Sequence, residues 1–281
     1  MLTARPPLRG EAHAFLGFLE RQKNLVRRYW MWEAVWLVYS LVSVLSIGYL
    51  AAGLGSLGGA APSVADLARA ELYLLLGALL WAYLSIVFME ISFSVMWERW
   101  EGTIEYTFMA PVRRVTHLLG VCAFALLYGL ARTLVVLAIA LALFHLDLSR
   151  ANGGAAVVVL VVSTFPLVGL GVLASVLPLL SPERGEQMTV AVQGILLLAS
   201  GVYYPVTVLP GPIQVLAKAS PMTYTLDGIR ATLIDGRGLA AVAPDLAALV
   251  LMGAVLLPLG LLTFGWAERR AKRLGLLKRS G

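Results

Sequence analysis

Apolar residues gather into blocks long enough to cross a bilayer, which takes about 20 helical residues at about 1.5 Å rise each. Six such blocks lie at about 32–54, 71–96, 118–144, 155–180, 187–206 and 245–267. The pattern predicts an all-α polytopic membrane protein with six transmembrane helices in one domain. Residues 1–31 form a cytoplasmic lead, 32–267 a six-helix membrane domain and 268–281 a basic tail. The charged lead is longer than the n-region of a signal peptide, so the first block is expected to remain as a helix.

Two polar stretches beside the blocks carry helical patterning of their own. In the lead, AFLGFLERQKNLVRRYW, residues Phe15, Phe18, Leu19, Leu25, Val26 and Tyr29 recur at helical spacing, with Glu20, Asn24, Arg27 and Arg28 on the opposite side. Such an amphipathic helix lies in the membrane interface. Its basic face suits anionic lipid headgroups, and Trp30 and Trp32 sit where an aromatic belt marks entry into the bilayer. Two readings stay open: a passive anchor, or a lever joining cytoplasmic motion to the first span.

The second stretch is WERWEGTIEYTFMAPVRR, from Trp97 to Arg114. On a helical wheel Trp97, Trp100, Ile104 and Phe108 share a face, while Glu98, Arg99 and Glu105 lie away from its centre. Gly102 weakens this short amphipathic helix and Pro111 should end it. Its carboxylates suit docking to a partner; a solvated interfacial hairpin accounts for them nearly as well. Farther on, residues 205–243 are too polar and too interrupted by Pro and Gly to span, yet too apolar for a freely solvated loop. Broken backbone at membrane depth needs protein cover, so the choices are re-entrant helices or a compact loop on the headgroups.

Composition agrees with the blocks: 59% of residues are hydrophobic and 14% charged, against about 25% charged in soluble domains. The net charge of +6 raises nucleic acid as a partner, but its distribution points to a membrane surface instead. Basic loops stay cytoplasmic. Arg5, Arg9, Arg21, Lys23, Arg27 and Arg28 precede the first block; Arg269, Arg270, Lys272, Arg273, Lys278 and Arg279 follow the last. Six crossings put both termini, with Arg99, Arg113, Arg114 and Arg184, in the cytoplasm. Arg69, Arg150, Lys218, Arg230 and Arg237 fall outside.

Some candidate chemistry is removed by residue type. Cys122 is the only cysteine, so no intrachain disulfide or thiol metal cluster forms. There is no G-x-x-x-x-G-K-[ST] run for a nucleotide P-loop. His13, His117 and His145 are scattered without a protease or metal motif, and a lone interfacial histidine reads as solvated. Gly169 and Gly171, after Pro166, suggest a kink and close helix packing. No internal repeat suggests an ion-coupled carrier. Arg132 lies near mid-bilayer, where a charge costs at least about 2.5–3.5 kcal/mol. It either pairs with Glu90 or lines a transport route with it. Asp227 and Arg230, at i and i+3, are placed to pair.

The run ERWEGTIEYTFMAPVRRVTHLLG, Glu98–Gly120, resembles the E-x-G-T-[LI]-E…P…LG segment after the second span of ABC-2 type transporter permeases. SGVYYPVTVLPGPIQVLAKASPMTYTLDGIR, Ser200–Arg230, is similar to the same family's stretch after the fifth span. With the interfacial helix and six-span layout, the resemblance covers essentially the whole chain. It implies that Glu98, Glu101, Gly102, Thr103, Glu105 and Pro111 belong to a coupling helix received by a separate ATP-binding cassette subunit, which holds ATP and Mg. It also implies two short re-entrant helices at about 211–219 and 222–234, divided near Pro221, with Pro205, Pro210, Tyr224, Asp227 and Arg230 in the outer gate.

A second permease subunit, identical or different, would complete an ATP-driven exporter in a bacterial cytoplasmic membrane. The apolar spans favour a drug or lipid-like cargo; Trp81, Tyr83, Tyr203, Tyr204 and Tyr224 keep a lipid-linked polysaccharide in view. A non-transporting scaffold or sensor is the alternative of another class.

Overall fold

The computed structural model describes residues 8–57, 64–144 and 149–277. Arg5, His145, Lys278 and Arg279, weighed above, lie outside the described residues. Among the described residues ten α-helices follow one another: α1 (Leu8–Arg28), α2 (Trp30–Leu57), α3 (Val64–Trp100), α4 (Ile104–Met109), α5 (Arg114–Leu143), α6 (Gly153–Leu180), α7 (Gly185–Ala199), α8 (Gly211–Ala219), α9 (Pro221–Leu233) and α10 (Ala243–Arg273). No strand occurs among the described residues.

Five of these contain stretches long and apolar enough to cross a membrane by length and composition: Trp30–Gly53, Asp66–Trp100, Arg114–Leu143, Gly153–Leu180 and Ala243–Arg273. The expected span at 187–206 is instead the 15-residue helix α7. Its early end has a local cause: Gly201 turns the chain at φ +68, and Pro205 follows. Contacts at its two ends show how far this segment reaches. Gly185 packs against Pro178 beside the C-terminus of α6, while Gly201 and Val202 are bonded to Arg230, which sits against Tyr73 near the start of α3.

Helix α3 is the central post, in contact with α2, α5, α6, α7 and α9. Leu75, Leu84, Val87, Phe88 and Ile91 along it are wholly buried. In lipid such contacts are held by dispersion and shape more than by exclusion of water. The most extensive helix–helix contact is that of α6 with α10, and glycine allows its close approach. A Cβ on Gly169 would come within 2.6 Å of the Leu256 and Leu257 backbone, and one on Gly260 within 2.8 Å of the Gly169 carbonyl. The Pro166–Gly171 segment is thus a packing surface, with Gly171 against Ile91 of α3. Helices α2, α5 and α10 leave much apolar surface exposed, as lipid-facing helices do.

The expected re-entrant pair is close to α8 and α9, with Pro210 as the residue before α8 and Pro221 as the first of α9. Proline suits a first helical position because its missing N–H would be unpaired there anyway. Helix α9 buries Met222, Leu226 and Ile229 and packs against α3, α6 and α10, so protein covers its backbone.

Candidate functional site

Three groups of side chains join elements that the sequence leaves far apart. The first is at the end of the bundle where α3, α6 and α10 finish and α1 and α4 lie, here called the basic end. The insert is not one helix. Helix α3 runs on to Trp100, Gly102 turns the chain at φ +69, and α4 restarts at Ile104. A left-handed residue costs about 1–2 kcal/mol with a side chain, so glycine suits this turn. Ile104 and Phe108 are buried as the wheel suggests, whereas Trp97 and Trp100 face elsewhere, into a cleft beside α7.

The break separates the expected docking residues into two sets. Glu98, placed by the wheel away from the apolar face, is only 3% exposed. Its Oε1 pairs with Arg21 Nη1 at 2.9 Å and with His117 Nε2 at 3.0 Å. Arg21 Nη2 also donates to Thr103 Oγ1 at 2.6 Å, and the Thr103 N–H donates to the Glu98 carbonyl at 2.8 Å. Glu101 accepts from the Tyr29 hydroxyl at 2.7 Å and lies 3.8 Å from Arg28. That bond, with its carboxylate charge, raises the Tyr29 hydroxyl above its usual range. Glu98, Glu101 and Thr103 are therefore held by α1. Glu105 and Pro111 point outward, with Tyr106 80% and Met109 79% exposed beside them.

Arg99, expected off the apolar face, is buried too; it donates to the Leu276 carbonyl at 2.5 Å and the Leu179 carbonyl at 3.0 Å. His117 is 1% exposed, not solvated. Helix α1 also differs from the interfacial picture, because its apolar face rests on α5 rather than on headgroups alone. Phe18 packs on Gly120 and lies 4.7 Å from the His117 ring. Glu11 accepts from the Arg113 backbone and the Thr116 hydroxyl at the start of α5. Arg114, on α5, forks onto Glu268 of α10 at 2.9 and 3.0 Å. Arg27 and Trp30 remain exposed.

The second group surrounds a cleft of about 590 Å³ between α2, α3, α5 and α7. Arg132 does not pair with Glu90, as the sequence allowed. Its guanidinium donates to Ser40 at 2.8 Å and to the Tyr128 hydroxyl at 3.2 Å, while Tyr128 donates to Glu33. The guanidinium is thus held by α2 and by its own helix. Glu90 lines the cleft instead. Trp81 is the only aromatic noted for glycan binding that reaches this cleft among the described residues; Tyr83 is buried in the core.

The third group closes the opposite end. Arg230 does not pair with Asp227, which is exposed. Its Nη1 donates to the Gly201 carbonyl at 2.9 Å and its Nη2 to the Val202 carbonyl at 2.5 Å, with the guanidinium 3.6 Å from the Tyr73 ring centre. One side chain thus ties α9, the end of α7 and α3 together. Tyr224 donates to the Lys218 carbonyl at 3.0 Å, holding α8 to α9. Sequence spacing directed attention to Arg132, Arg230 and Glu98 but not to most of their partners, since Ser40, Arg21, His117 and the Gly201 and Val202 carbonyls lie far away in the chain; only Tyr128, four residues before Arg132, stood at a helical spacing. Among the described residues no group of His, Cys, Asp and Glu is arranged to hold a metal.

In comparison with known proteins, the family described as ABC-2 type transporter matches residues 15–234. No individual curated protein matches the chain significantly.

Proposed function

Because the chain belongs to the ABC-2 type transporter family and is its multi-pass permease component, we propose that it forms the membrane half of an ATP-driven exporter, powered by separate ATP-binding cassette subunits. The observation that carries this is α4. Its inner face is buried through Ile104 and Phe108, while Glu105, Tyr106, Met109 and Pro111 form an exposed outward face. The distribution of Lys and Arg supports a cytoplasmic basic end, with that face toward a soluble ATPase. ATP and Mg are bound in that partner.

The reading includes six crossings with α7 as the fifth, both termini in the cytoplasm of a bacterial cell, and a second permease subunit completing the pathway. Closure of the ATPase pair moves α4. The Arg21–Glu98 and Tyr29–Glu101 contacts pass that movement to α1, and α1 leads through Tyr29 directly into α2. Differential affinity of ATP for the closed state biases the two-state change. α8 and α9 form the outer gate.

The cargo is amphipathic or hydrophobic, drug-like or lipid-like, and enters a cleft whose walls are chiefly apolar. The tryptophans of that cleft also favour a second reading, a lipid-linked polysaccharide, since aromatic faces stack on sugars. Gentle solubilisation followed by a search for a co-purifying ATPase tests the core of the proposal. Its absence under every mild condition would support a non-transporting scaffold. ATP-driven uptake into inverted vesicles then separates cargoes, because accumulation of lipid-linked glycan alone would sink the drug-like reading.

A further inference from the structure

Resting on the permease reading and narrowing its cargo, we propose that the cleft between α2, α3, α5 and α7 is a binding site for hydrophobic cations, with Glu90 as the residue that selects the charge.

The size suits a small molecule: about 590 Å³, within the common range of about 300–1,000 Å³ for ligand pockets. Its lining follows α3 from Trp81 to Trp100, about 28 Å at 1.5 Å per residue. Trp32, Trp36 and Tyr39 of α2 face Trp81, Trp97 and Trp100 of α3 across it. Indole and phenol faces carry negative charge density, which attracts a cation most strongly where water is scarce.

The charged groups of the lining set the sign. Glu33, Glu90 and Glu186 are carboxylates, and among the described residues Arg132 is the one cation of the lining. Arg132 already donates to Ser40 and Tyr128, and Tyr128 donates to Glu33. Arg132 is thus tethered toward Glu33 through Tyr128, and both charges are within electrostatic reach of Glu90. Glu90 and Glu186 have no hydrogen bond or ion pair with any described residue, although both line the cleft and both are half-buried. A carboxylate within a transmembrane helix is costly unless something complements it. A ligand bearing a quaternary or protonated amine, or a phosphonium, would supply the missing positive charge to Glu90 and spread its apolar substituents over the indoles. An anion of the same shape would meet the two carboxylates and the π faces. A sugar would find few polar groups, chiefly Ser85 and Gln193.

The same ammonium chemistry occurs in a free cation and in a choline headgroup. The test uses the purified full chain in nanodiscs of phosphatidylglycerol, with empty nanodiscs subtracted. Radiolabelled tetraphenylphosphonium should bind saturably, at about one per chain, and quench tryptophan fluorescence. Tetraphenylborate, its anionic isostere, and neutral triphenylphosphine oxide should each bind at least ten-fold more weakly. Glu90→Gln should weaken phosphonium binding at least ten-fold and Trp36→Leu several-fold, with Glu186→Gln giving a smaller loss. Competition from added phosphatidylcholine would identify a lipid headgroup as the source of the cation; no competition would indicate a free cation.

Equal binding of cation and anion, displacement by malto-oligosaccharide, or unchanged affinity in Glu90→Gln would each overturn the site. If Glu90→Gln does not fold, the cation-to-anion ratio on the unmodified protein still decides. No ATPase enters this assay. A chain that bound phosphonium without recruiting an ATPase would refute the permease reading and leave the site standing; an ATPase-recruiting chain with no charge preference would do the reverse.

Discussion

Glu98 holds Arg21 and His117 at once, and its removal would leave both without this partner. Arg21 is a quarter exposed while His117 is buried, so water relieves only part of the loss. Glu98→Ala should cost about 2–3 kcal/mol. The protein carries its own reporter: Cys122 is the single cysteine and is 4% exposed, so a fluorogenic maleimide labels it as the fold opens. The labelling midpoint should fall clearly in Glu98→Ala; an unchanged midpoint would show that the triad contributes nothing to stability. The same assay applies to Arg230. Arg230→Ala leaves the Gly201 and Val202 carbonyls without this donor and should cost about 3 kcal/mol, whereas Arg230→Lys should cost less because it keeps a charge near them. Gly102→Ala should cost about 1–2 kcal/mol, since its φ of +69 penalises a Cβ.

Helix α4 is only six residues long and carries one buried face, so it depends on its surroundings for its shape. Docking and structure therefore divide along it. Glu105→Lys should abolish recovery of the co-purified ATPase while the Cys122 midpoint stays within the error of the unmodified protein. Glu101→Lys should instead break the contacts to Tyr29 and Arg28, altering α1 before any partner is added. If both variants lowered stability equally, the outward face of α4 would be structural and the coupling assignment would fall. Helix α1 was the element whose role changed most. Its spacing of apolar residues correctly gives a one-sided helix, but periodicity cannot say what the side rests on, and a face suited to headgroups also suits the start of α5. Tyr29 shows a similar dependence at the junction. Its hydroxyl is held protonated by Glu101, so that bond is present below the ordinary tyrosine range and is lost as pH rises through the raised value.

For the whole molecule, the proposal requires an assembly of two permeases with two ATP-binding subunits, and native mass spectrometry on the gently solubilised complex should give that stoichiometry. Binding of the ATPase should also raise the Cys122 labelling midpoint, since it adds about 2.7 kcal/mol of stability when it is present at about a hundred times its dissociation constant. At this scale much was legible beforehand. The apolar blocks at about 32–54, 71–96, 118–144, 155–180 and 245–267 each fall on a long helix, because a bilayer demands a continuous apolar run and the chain supplies it locally. The proline before α8 and the one opening α9 marked those helices for an equally local reason. Glycine and proline also cut α7 short, although the apolar run continued through Val202.

By itself, the sequence determined which segments are apolar and which family the chain belongs to, since these depend on residue type and order. Only the tertiary structure decided that Glu98 is buried on Arg21 and His117, that Arg132 turns to Ser40 and Tyr128 instead of Glu90, and that Arg230 binds carbonyls instead of Asp227. A charge in a dry interior takes whichever partner the packing brings within about 3 Å. That partner is set by how helices cross, which the spacing of residues along one helix does not record.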